Sequence, residues 1–181
     1  MPKKFEKEFI SYCENQNLEV NHNQIKVIKK LEDYHNSNFK SFFSKLFSKQ
    51  KTKKGFYLYG GVGVGKTMIL NFFYDHLEEK KLKKHFNEFM LGFHDFVHEQ
   101  KEKNEENVIN QFVKNLKSKA SLVYFDEFQV TNIVDAMILG KLFEQIFKED
   151  IKIILTSNTK ISELYKDCLL YTSPSPRDLS T

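Results

Sequence analysis

Residues 60–67 read Gly60-Gly61-Val62-Gly63-Val64-Gly65-Lys66-Thr67, which satisfies the spacing G-x-x-x-x-G-K-[ST]. Just upstream stands GFYLY (55–59), an apolar run of strand length, and from Lys66 the pattern becomes helical. A strand before and a helix after is the context in which this spacing binds phosphate. Glycines let the backbone wrap closely around an anion and turn a row of N–H groups inward. The helix N-terminus adds partial positive charge. The expected nucleotide-binding segment is Gly60, Gly61, Val62, Gly63, Val64, Gly65, Lys66, Thr67 and Met68. Lys66 is expected on the β- and γ-phosphates of ATP, and the Thr67 hydroxyl on Mg²⁺.

Two further strands supply the rest of the chemistry. SLVYFDEF (121–128) is a buried apolar strand whose end places Asp126 as a second Mg²⁺ ligand, usually through a water. Glu127 follows and is expected on the other side of the pleat, where a carboxylate takes a proton from the water attacking the γ-phosphate or orients that water. GTPases usually carry Asp-x-x-Gly here, and small-molecule kinases often lack the paired glutamate, so the pair reads as an ATPase. IKIILTSN (151–158) ends in Thr156-Ser157-Asn158. Asn158 is assigned the water-positioning, sensor-one role known from AAA+ ATPases.

Around these motifs strands alternate with helices, which argues for an α/β fold with a parallel sheet covered on both faces. The near-continuous apolar runs LVYF and IKIIL fit strands buried on both sides. The periodicity predicts a helix over 22–34, with Ile25, Ile28 and Leu31 on one face, and a basic amphipathic stretch over 39–54 carrying Phe39, Phe42, Phe43, Leu46 and Phe47. It predicts a helix over 66–82, a strand over 84–90, helices over 93–103 and 107–119, and a helix over 133–150 before the last strand. Three segments follow: an N-terminal helical segment (1–54), a P-loop core (55–167) and an aberrant tail (168–181).

The bulk properties narrow the setting. The sequence of 181 residues contains no apolar run of membrane-spanning length, and its N-terminus lacks the apolar region of a secretory signal. Outside the tail Cys13 is the only cysteine, which excludes a disulfide framework and fits a reducing, cytoplasmic setting. The net charge of +4 is mild and its lysines are spread along the chain, so nucleic acid is not the expected partner. His94 and His98 stand at i, i+4, but the glutamate of H-E-x-x-H and a third ligand are lacking, so an exposed helix face is expected instead of a metal site.

YLYGGVGVGKTMILNFFYD, HFNEFMLGFHDFVHE, SLVYFDEFQVTNIVDAMILGKLFEQIF and ILTSN with ELYKD together resemble the ZapE-like AAA+ ATPases, a bacterial cell-division group related to a mitochondrial inner-membrane ATPase. The likeness covers most of 55–167, and FDEFQV-T-x-I-x-DAMIL is more specific than the P-loop. It implies an ASCE-type AAA+ three-layer sandwich that uses ATP and Mg²⁺. It also implies a ring-forming homo-oligomer, remodelling of a protein partner with FtsZ as the bacterial candidate, and a peripheral position at the inner membrane. Contact between the 39–54 stretch and a membrane surface, or docking of that stretch on the core, would fit. Family analogy also puts Gln24 near adenine. The sequence departs from the family at Asn132, where Asp is usual, and at Thr159-Lys160-Ile161, where a basic residue and prolines are usual.

CLLYTSPSPRDLST (168–181) differs from everything before it. It holds the only arginine, Arg177, and two of the three prolines. Its first eleven residues look like one reading frame of a sequencing adapter, so the expectation is that the gene fragment ends near Asp167 and the tail is not native. The family's fifth strand, C-terminal lid and catalytic arginines would then be missing. Phe56 to Tyr59 would form an exposed sheet edge, and the chain alone would be poorly soluble and hydrolyse ATP barely above background. Alternatives are a helicase-loader-type AAA+ ATPase acting with nucleic acid, or an inactive nucleotide-binding fragment.

Overall fold

The structure, a computed structural model, describes residues 4–39, 54–100, 104–130 and 133–164. Its centre follows from two short apolar runs. Leu122–Asp126 (β3) is buried at all five positions, and Lys152–Ser157 (β4) at five of six. Strands so uniformly buried need cover on both faces. They pair in parallel, Val123 with Ile153 and Phe125 with Leu155. Gly55–Tyr59 (β1) adds parallel to β4 and Lys81–His85 (β2) parallel to β3, giving the order β1-β4-β3-β2.

Alternation along the strands sorts the core into two layers. Val123, Phe125 and Ile153 face Phe86–Glu99 (α4), Glu105–Lys119 (α5) and Ile133–Lys148 (α6). Leu122, Tyr124 and Ile154 face Lys4–Asn15 (α1), His22–Phe39 (α2) and Lys66–Asp75 (α3). The result is the expected α/β three-layer sandwich. Placing β4 between the P-loop strand β1 and the Asp-Glu strand β3 is the ASCE arrangement.

The region between α3 and α4 differs from the sequence expectation. The helix from Lys66 ends at Asp75 instead of reaching Leu82, the strand is Lys81–His85 instead of 84–90, and the next helix begins at Phe86. Phe86, Phe89, Met90 and Phe93 are all buried on one face at i, i+3, i+4 and i+7, a period that only a helix satisfies. The end of α3 is closed by Lys81, whose Nζ donates to the carbonyls of Tyr74 (2.5 Å) and Leu77 (2.7 Å). A cation on the last carbonyls is a favourable helix stop.

α1 lies within the N-terminal helical segment, ahead of the periodic stretch at 22–34. Phe5, Phe9 and Cys13 recur every four residues and are buried. Phe5 meets Phe73 with ring centroids 5.3 Å apart, and Phe9 meets Phe72 at 5.1 Å, which layers the N-terminal helices directly on the P-loop helix α3. Tyr34 ties α2 to the sheet: its hydroxyl reaches the carbonyls of Lys54 (3.0 Å) and Ile153 (3.2 Å), and burial raises its phenol pKa above the ordinary value.

Among the described residues β1 forms one edge of the sheet, with Phe56, Tyr57 and Leu58 half-buried and Gly55 and Tyr59 exposed. No helix among them is long and apolar enough to cross a membrane. Phe42, Phe43, Leu46 and Phe47 of the amphipathic stretch, Asn132 and the segment 165–181 lie outside the described residues.

Candidate nucleotide site

At the carboxyl edge of the sheet the chain leaves β1 and turns sharply. The Gly60 N–H donates to the Ser157 carbonyl (3.2 Å), which fastens the start of the loop to β4. Gly63 (φ +82°) and Gly65 (φ +83°) take left-handed conformations open to glycine at no steric cost. Gly65 caps α3, and a Cβ there would stand 2.8 Å from Nε2 of Gln24, so that side chain would have to shift as well as the residue taking a strained φ. Gln24 itself donates to the Val64 carbonyl at 3.4 Å. Helix α2 therefore rests on the loop.

Lys66 lies back along the loop. Its Nζ donates to Gly60 O (2.8 Å), Gly61 O (2.7 Å) and Asn158 Oδ1 (2.8 Å). The last bond joins residues 92 apart in sequence and sets Asn158, at the tip of β4, beside the P-loop lysine. Tyr57 and Ser157 steady this tip: the Tyr57 hydroxyl donates to Thr159 O (2.6 Å) and the Thr159 N–H donates to Ser157 Oγ (3.1 Å).

Asp126 is only 5% exposed at the end of β3. Its Oδ1 accepts from Thr156 Oγ1 (2.5 Å) and from the Glu127 N–H (3.2 Å). Both donors fall on one oxygen, Oδ1. A carboxylate anchored in this way at the edge of a cleft is suited to a hard cation, and Thr67 lines the same cleft. These oxygens fit Mg²⁺, which keeps several waters and takes few protein ligands.

Glu127 departs from its expected place on the opposite side of the pleat. β3 has already ended, and Glu127 takes φ +56° with its side chain 79% exposed. The left-handed turn swings it off the strand, so pleat alternation no longer applies. It faces His85 across the β2–β3 pair, Nδ1 to Oε2 4.0 Å. Val62, Gly63, Gly65, Lys66, Thr67, Met68, Asp126, Glu127, Thr156, Ser157 and Asn158 line one cleft of about 290 Å³. Gly60 reaches this group through Lys66, and Gly61 likewise. Val64 is 52% exposed on the loop.

Thr156 and His85 were not singled out in the sequence. Thr156 opens the polar tip Thr156-Ser157-Asn158 just past the apolar run, and that position was its readable signal. His85 gains its meaning from the bounds of β2, which make Asp126 its register partner. His94 pairs instead with Asp135 (2.8 Å), and no group of three metal-ligating side chains exists among the described residues.

Comparison with known proteins agrees with this geometry. The family model described as AFG1-like ATPase matches residues 7–173. Lactation elevated protein 1 homolog B of Danio rerio is 39% identical over 132 residues, 67% of this chain and 26% of that protein. Cell division protein ZapE of Escherichia coli K12 is 36% identical over 123 residues, 67% of this chain and 32% of ZapE. The chain thus spans about a quarter to a third of the length of these curated relatives. Among solved structures, a DNA replication initiation factor aligns with TM-score 0.57 at 16% identity, covering 82% of this chain and 42% of that one. AMPPCP-bound DnaA from Aquifex aeolicus aligns with TM-score 0.52 at 16% identity, with the same coverage of 82% and 42%. These two likenesses bear on the fold, which is that of the P-loop AAA+ proteins.

Proposed function

Because this chain belongs to the AFG1-like ATPase family, we propose that it binds ATP with Mg²⁺ in the cleft above β1 and β4 and that hydrolysis drives remodelling of a protein partner. The observation that carries this reading is the gathering of Lys66, Thr67, Asp126, Glu127 and Asn158, from three strand ends, around one cleft. The loop amides and the N-terminus of α3 take the phosphates. Lys66 exchanges its carbonyl partners for β- and γ-phosphate oxygens. Thr67 and Asp126 would hold Mg²⁺, which when bound would neutralise charge on the transferred phosphoryl group. Glu127, in water at the cleft mouth, takes the proton of the attacking water, and Asn158 orients that water.

Family supports a reading of the partner. With ZapE named as a cell division protein, the proposed client is a bacterial division protein, FtsZ first, and the working form is a ring of copies at the inner face of the membrane. The sequence's only arginine is Arg177. An arginine supplied in trans is worth on the order of 10³-fold in rate, so turnover by this chain alone is expected to be slow. The test therefore reads stimulation over that basal rate. FtsZ filaments should raise ATP turnover several-fold, and single-stranded DNA should not. A DNA response that falls steeply with salt would replace this reading with a loader acting on nucleic acid.

A further inference from the structure

Thr156 is the fifth residue of β4, 2% exposed at the floor of the cleft. Three consecutive residues depend on it. Its Oγ1 donates to Asp126 Oδ1 (2.5 Å) and accepts from the Glu127 N–H (3.2 Å), while its carbonyl accepts from the Phe128 N–H (2.7 Å). The β3–β4 register, which pairs Phe125 with Leu155, sets Asp126 and Thr156 side by side. At this point Glu127 adopts φ +56°, a conformation that L-residues with a Cβ disfavour and that persists only where surrounding bonds over-determine it. The bonds from Thr156 do so.

We propose that Thr156 is the positioning residue of this site, fixing which oxygen of Asp126 faces the cleft and holding Glu127 in the left-handed turn that presents its carboxylate there. This rests on the ATPase reading above. One hydroxyl, serving as donor to the Asp126 carboxylate and acceptor from the Glu127 N–H, couples the two residues. Valine would keep the volume and lose both bonds. Serine would keep both and lose only a methyl group.

The test compares the full chain with Thr156→Val and Thr156→Ser by fluorescence titration of a labelled ATP, with and without Mg²⁺, and by Mn²⁺ resonance in the presence of ATP. Outer-shell partners of metal ligands typically contribute 10- to 100-fold in metal affinity. Thr156→Val should bind metal-free nucleotide as the wild type does, yet lose roughly tenfold in Mg²⁺-dependent tightening and Mn²⁺ affinity, with Thr156→Ser restoring both. Full metal-dependent tightening in Thr156→Val, or equal losses with and without metal, would overturn the proposal and leave Thr156 a packing residue. If Thr156→Val does not fold, Thr156→Cys, a weak donor of similar volume, should show the same loss, and full tightening there overturns it. A wild type that binds no ATP at all would instead defeat the ATPase reading itself.

Discussion

Replacing Lys66 with alanine should weaken ATP binding by roughly two orders of magnitude while leaving the fold intact. The ammonium is half-buried at the loop, and its three bonds to Gly60, Gly61 and Asn158 are the ones that phosphate oxygens would take over. A hydrogen bond to a charged group is worth about 1.5–3 kcal/mol. Losing two such contacts to the β- and γ-phosphates gives about 3–6 kcal/mol, and loop relaxation would recover part of it. The carbonyls of Gly60 and Gly61 lie at an open loop where water replaces the lysine, so the melting temperature should hardly move. Calorimetric titration together with a thermal melt separates these effects. Unchanged ATP affinity in Lys66→Ala would remove the lysine from the site, and a collapsed melt would make its role structural.

Glu127→Gln should act in the opposite sense. It keeps the shape of the side chain and removes its capacity to take a proton, so hydrolysis should fall by about 10²- to 10⁴-fold with ATP affinity preserved. The surroundings support a clean result, because the carboxylate is 79% exposed and the His85 imidazole stands 4.0 Å away. No buried network is broken, and the backbone at φ +56° is held by Thr156 through the amide and not through the side chain. Single-turnover conversion of bound ATP to ADP measures the effect even where basal turnover is slow. Equal single-turnover rates for Glu127→Gln and wild type would assign the proton transfer to another group.

What the sequence disclosed and what it withheld follow from burial. β3 and β4 are central strands, and their apolar runs Leu122 to Phe125 and Ile153 to Leu155 stand out from the polar chain around them. The P-loop is legible because glycines at Gly63 and Gly65 mark backbone conformations that other residues resist. β2 is an edge strand, and KLKKH offers one apolar residue in five with no alternation to detect. It also passes from His85 into α4 at Phe86 with no glycine or proline between them, so nothing local marked the boundary. The site was legible in its side chains and not in its backbone. Glu127 was identified by its neighbour Asp126, but its left-handed turn depends on Thr156, 29 residues further along. No local pattern encodes a contact of that kind.

The central claim, that ATP with Mg²⁺ occupies the cleft between the P-loop and the ends of β3 and β4, is tested most directly by amide hydrogen exchange on the full chain. Adding ATP and Mg²⁺ should slow exchange over Gly60 to Met68 and around Asp126 to Phe128 and Thr156 to Asn158, and adding GTP should do so less. Protection concentrated elsewhere, for instance along the groove between α4 and α5 that Phe89, Phe96 and Phe112 line, or no protection at all, would contradict the account.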